Sequence, residues 1–144
     1  MEAWLVLENM RRRLTFPGEA CRMASVRVVV RGFLADSGFD EVRATQIVLA
    51  LDEACTNIIR HAHGGETKPV RMEITRLSDR VRFVLRDCGR PCDPLQIRSR
   101  ELDDVRPGGL GVHIIRHVFD VVEYTALENG TRLRLEKMLE GGGG

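Results

Sequence analysis

The chain has 144 residues, 43% hydrophobic and 30% charged, and a formal net charge of +1 at pH 7. That length and balance fit one soluble globular domain with its own core and exclude disordered or collagen-like chains. The near-zero charge implies no bulk pull toward nucleic acid or anionic lipid, and no apolar run approaches the roughly 18–20 residues of a membrane span.

The first ten residues carry Glu2 and Glu8 and lack a basic segment followed by an apolar one. The expected location is therefore the cytoplasm, without a leader peptide. In that compartment Cys21, Cys55, Cys88 and Cys92 are expected as reduced thiols. Cys88 and Cys92 loosely match metal-ligand spacing, but no second pair completes a site.

Leu5 to Phe16 can supply an edge strand, although the run Arg11–Arg13 weakens it, and Pro17-Gly18 punctuates it. Met23, Val26, Val30, Phe33 and Leu34 recur at helical spacing and predict a helix over 19–36, ended by Gly38. Asp40 can cap a second helix reaching Ala62, with the stripe Ile47, Leu51, Ala54, Cys55, Ile58 and Ala62. The period then falls to two. Val70, Met72 and Ile74, then Val81, Phe83 and Leu85, alternate with polar residues around a turn at Ser78–Asp79 and predict a hairpin. The polar stretch 93–107 is long enough for a functional loop. Gly108, Gly109 and Gly111 open a short helix in which Leu110, Ile114 and Val118 share a face. Residues 121–125 and 131–135 form a last hairpin around Asn129–Gly130. The order β, α, α, β, β, α, β, β favours an α+β fold, a two-layer sandwich with a mixed, mostly antiparallel sheet and helices on one face. One domain over 1–140 is expected, followed by a flexible tail, Gly141–Gly144.

Three clusters look chemical. Glu53, Asn57 and His61 fall at i, i+4 and i+8 on the second helix, one stripe about 120–160° from the apolar centre for the first two. A carboxylate can accept a hydroxyl proton, and an amide oxygen one turn away is a hard ligand for Mg²⁺, as phosphoryl transfer needs. Alone, the stripe reads as a solvated helix face. Asp87-Cys88-Gly89-Arg90-Pro91 follows a strand. There an acid can accept a hydrogen bond from an exocyclic amine, and a glycine lets backbone approach a flat ring, although an ordinary turn has the same look. Pro107-Gly108-Gly109-Leu110-Gly111 precedes a helix, where free N–H groups and the dipole favour phosphate. It is neither a P-loop nor a dinucleotide fingerprint. The pairs His61/His63 and His113/His117 lack the glutamate of a zinc-protease helix, and no serine has partners for a hydrolase triad.

In order, these clusters resemble the Bergerat-fold (GHKL) ATPases. LALDEACTNIIRHAH (49–63) is similar to the N box of their bacterial serine-kinase branch, the anti-sigma factor kinases. DCGRPCDP (87–94) and PGGLGVHIIR (107–116) resemble its two glycine boxes, and Gly130-Thr131 its final Gly-Thr box. The likeness covers roughly residues 11–138. It implies ATP or ADP and Mg²⁺ as ligands, with Glu53 as general base for a protein serine and Asn57 as Mg²⁺ ligand. Asp87 and Gly89 would meet adenine, with Thr131 helping on that side. Gly109, Leu110 and Gly111 would line the phosphates, and 93–107 would form a lid. Pro91 departs from the glycine many members carry and stiffens the lid entrance. The resemblance implies a partner-switching serine kinase that holds a sigma factor and phosphorylates a small STAS-type antagonist, commonly as a homodimer, with no direct nucleic-acid or membrane partner. A nucleotide-regulated binding module without catalysis, and a detached histidine-kinase catalytic domain, are the alternatives; retention of both Glu53 and Asn57 favours the enzyme.

Overall fold

A computed structural model describes residues 10–18, 22–62, 69–87, 107–128 and 130–139 and, within these, the side chains of all but 60–62 and 107–112. The elements are β1 (Arg11–Pro17), α1 (Met23–Asp36), α2 (Glu41–Ala62), β2 (Pro69–Arg76), β3 (Arg80–Asp87), α3 (Pro107–Val118), β4 (Val121–Leu127) and β5 (Gly130–Met138). This is the order expected from the periodicity.

Strand β1 sits at the edge of the sheet, where its three arginines remain exposed and Arg13 pairs with Glu73 on β2 at 2.9 Å. An edge position tolerates the charge run that argued against a strand. Helix α1 buries the stripe read from the sequence, Met23, Val26, Val30, Phe33 and Leu34. It ends on Gly38 at φ 101, with Phe39 N–H donating to Leu34 O and Gly38 N–H to Ala35 O, both at 3.1 Å. These two bonds satisfy carbonyls the helix leaves open and turn the chain directly into α2. Asp40 caps α2 as expected, its Oδ1 accepting from Arg43 N–H at 2.8 Å. Arg43 then lies over the Phe39 ring, 4.8 Å from its centroid, and donates to the carbonyls of Met138 and Leu139 at the far end of β5.

The sheet runs β1-β2-β3-β5-β4, and all four pairings are antiparallel, so the parallel component of the expected mixed sheet is absent among the described strands. Its inner face buries Val70, Met72, Ile74, Val81, Phe83, Leu85, Leu133 and Leu135, which share one core with the inward residues of α1, α2 and α3. The helices therefore cover one face, and α2 packs between α1 and α3. On α3 the expected stripe is rotated. Ile115 is fully buried and Ile114 is 44% exposed. Ile114 and Ile115 are adjacent, so a helix this short leaves its phase undecided in sequence. Phe119, buried just beyond the helix against Phe83, selects Ile115. No described helix is long and apolar enough to cross a membrane.

Candidate functional site

The second helix presents Glu53 and Asn57 one turn apart, Glu53 half-buried and Asn57 only 7% exposed. Neither Nδ2 nor Oδ1 of Asn57 has a hydrogen-bond partner among the described residues. The sequence stripe placed Asn57 on an open face, and the structure corrects that. Val48 and Ala50 are buried as well, one at each edge, which widens the buried arc to about half the helix circumference, and Ala50 carries it to within about 20° of Asn57, at its rim. A helix flanked by helices on both sides and backed by a sheet buries more than a single stripe. Glu53, about 40° further round, stays partly in solvent. The side chain of His61 is not described. Cys55, on the opposite side of the same turns, is a free thiol. Burial first, and the charge of Asp52 second, push it well above the ordinary thiol range. It packs and does not react.

At the other wall, Asp87 ends β3 and is fully buried, its Oδ2 accepting a hydrogen bond from the backbone N–H of Thr131 at 3.2 Å. Thr131 is 3% exposed, and its Oγ1 is a buried hydroxyl without a partner. Gly130 makes the approach possible. Its φ is 135, and a Cβ there would stand 2.1 Å from the carbonyl oxygen of Asp87. The sequence marked Gly130 as a hairpin residue. Contact across to the end of β3 is the stronger constraint, and it couples the acid of one motif to the glycine and threonine of another, 44 positions away.

The third wall is α3. Pro107 is its first residue, a position where a missing N–H costs nothing. Gly109 and Leu110 thus lie in the first turn, and Gly111 at the start of the second, of a helix packed against α2, the helix that carries Asn57. Gly89, Pro91, Cys88, Cys92, His63 and the expected lid, up to residue 106, lie outside the described residues. His113 and His117 are exposed on α3.

The α2 stripe and the start of β5 thus hold three buried polar side-chain atoms lacking partners, Asn57 Nδ2 and Oδ1 and Thr131 Oγ1. Comparison with known proteins gives these residues a context. A serine-protein kinase RsbW from Halalkalibacterium halodurans is 27% identical over 88% of this chain and 82% of its own length. A serine/threonine-protein kinase BtrW from Bordetella bronchiseptica is 31% identical over 62% and 66%. Among solved structures, the RsbU and RsbW domains of a Mycobacterium tuberculosis protein align with a TM-score of 0.63 at 17% identity, over 89% of this chain and 32% of that one. The catalytic domain of histidine kinase ThkA aligns at 0.52 and 18% identity, over 88% and 95%. At such identities the structures speak for the fold alone. The family model for the histidine kinase-like ATPase domain matches residues 16–137, nearly the whole described fold, and the chain belongs to that family.

Proposed function

We propose that this chain is a cytoplasmic, ATP-dependent protein serine kinase that acts as an anti-sigma factor, holding a sigma factor and phosphorylating a small STAS-type antagonist on serine. The observation that carries this reading is Asn57, a buried amide with both polar atoms unpaired, one turn from a carboxylate that water can reach. Buried polar groups are normally hydrogen-bonded, so an amide left open within the fold suits a ligand rather than the core. The names of the RsbW and BtrW relatives support the substrate class.

The residues present fit a magnesium nucleotide. Asn57 Oδ1 is a hard oxygen donor suited to Mg²⁺. Asp87 and the Thr131 hydroxyl supply a buried acceptor and an unpaired donor–acceptor for the polar edge of a base. The first turn of α3, with glycines at 108 and 109 and Gly111 just behind it, would take phosphate oxygens on its free backbone N–H groups. The bound nucleotide supplies the phosphoryl group, and the metal neutralises its charge. Glu53, half exposed to an incoming hydroxyl, is placed to take the proton of a protein serine, and the helix backbone fixes its distance from Asn57. A homodimer in the working complex is part of the same proposal.

Incubation with radiolabelled ATP, Mg²⁺ and a STAS-type antagonist tests it. Wild-type protein should label the antagonist on serine, in acid-stable form. Glu53→Ala should bind nucleotide normally and label about 10²–10⁴-fold more slowly. Acid-labile label would indicate phosphohistidine chemistry instead. Transfer by Glu53→Ala at the wild-type rate would remove the base assignment.

A further inference from the structure

Twenty of the chain's 22 basic residues are arginines, yet its net charge is only +1. Many of them sit on the outer face of the sheet, away from the helices, and half of those have partners. Arg13 pairs with Glu73 at 2.9 Å and Arg134 with Glu123 at 3.1 Å. Arg80 and Arg82 clasp the buried Glu136 at 2.6 and 2.7 Å.

One row differs. Arg71 on β2 stands directly opposite Arg86 on β3, and Arg86 directly opposite Arg132 on β5. All three are exposed, and none makes an ion pair or hydrogen bond with another described residue. The row is flanked by Thr15 and Thr125, so no carboxylate closes either end. Like charges directly opposite on neighbouring strands destabilise a sheet. Three guanidiniums within about 10 Å, on strands roughly 4.8 Å apart, make a strip of positive charge one residue wide.

We propose that Arg71, Arg86 and Arg132 form a docking strip for an acidic segment of a protein partner, one presenting two or three carboxylates across the strands. Guanidinium forks bind carboxylates bidentately, and a row of arginines suits that geometry where lysines would not. The strip's narrowness selects this occupant. The adjacent row, Arg13, Glu73, Arg134 and Glu123, is neutral because its charges are paired. The uncompensated charge there is confined to one row, which suits a short acidic segment better than a phosphate backbone or lipid surface spread over the sheet. A two-fold contact centred on the row would set it against its own copy, so a second molecule of this chain is disfavoured there. The strip uses the same strand ends as the nucleotide wall. Arg86 and Arg132 point outward where their neighbours Asp87 and Thr131 point inward. It does not rest on the kinase reading, and either can fail alone.

The test is fluorescence anisotropy of a labelled hexaglutamate peptide titrated with the full chain at low and physiological salt. The triple variant Arg71→Gln/Arg86→Gln/Arg132→Gln should weaken binding about tenfold or more, as expected on losing even one strong charge-assisted contact. Arg11→Gln, on the same face but outside the row, should stay within about twofold. The triple variant should melt at or above the wild-type temperature, because it relieves repulsion. Equal binding by the triple variant overturns the proposal, and so does a lower melting temperature, which would make the row structural. Tighter binding of a DNA duplex or of phosphatidylserine vesicles than of the peptide would assign the strip to those partners. A change in oligomeric state with peptide binding intact would assign it to self-association.

Discussion

At the scale of single residues, the amide of Asn57 works against stability. Removing its polar atoms from water without partners costs about 1–3 kcal/mol, whereas an apolar group of similar shape in the same place costs nothing of the kind. Asn57→Leu should therefore raise the melting temperature of the nucleotide-free protein by several degrees and abolish the shift produced by Mg-ATP. Differential scanning fluorimetry with and without nucleotide reads both halves. A lower melting temperature in the free protein would mean that the amide is already paired in the fold. The residue type and its spacing from Glu53 were legible in the sequence, but its burial was not. On that side of the helix the buried arc is extended by Ala50, too small to register as a hydrophobic stripe yet fully buried.

At the scale of elements, β5 holds one of the sheet's two buried carboxylates among the described residues, the other being Asp87 at the end of β3. Glu136 is 2% exposed and is gripped by Arg80 and Arg82 from β3, with Arg134 3.7 Å away on its own strand. Burial alone would push this carboxyl up. The hydrogen bonds from Arg80 and Arg82 and the charges of Arg82 and Arg134 together outweigh it and hold the group below the usual glutamate range. A lowered folded pKa adds stability that is fully present above the unfolded value, near pH 4.3, and is lost as pH falls through the folded value. Melting temperature should therefore drop in that acid window for the wild type, and Glu136→Gln should flatten the drop. At neutral pH the variant should lose stability near the low end of about 3–5 kcal/mol, because its arginine partners are about a third exposed and water screens them. An unchanged acid profile would place the titrating group elsewhere. Elements were the most legible level of the sequence, since the alternation of Val81, Phe83 and Leu85 and the stripe of α1 each admit one reading. The phase of α3 was not legible, because two adjacent isoleucines offered two faces and only the distant Phe83–Phe119 contact chose between them. The cross-strand row of arginines was invisible for a related reason. Its members are scattered along the chain, and only the register aligns them.

At the scale of the whole molecule, the proposed nucleotide site draws on α2, α3, β3 and β5, so it would exist only when all four are assembled. A ligand that binds only the folded state stabilises it by mass action, about 2.7 kcal/mol at a hundred times its dissociation constant. Thermal melts at saturating Mg-ATP or Mg-ADP should rise by several degrees, and Asp87→Asn should blunt the rise. No shift at millimolar nucleotide would separate this chain from nucleotide binding altogether. The position of β5 has a consequence for how the protein is made. It follows β4 in the chain, yet it inserts between β3 and β4, and β4 pairs with no other described strand. Until it emerges during synthesis, β3 shows an open hydrogen-bonding edge and β4 has no partner, the condition in which nascent chains invite chaperones or stick to one another. Thr131, which bonds to Asp87, arrives with that same strand. At the proposed site, nucleotide would therefore not guide the early steps of folding. It would latch a sheet that β5 has already closed.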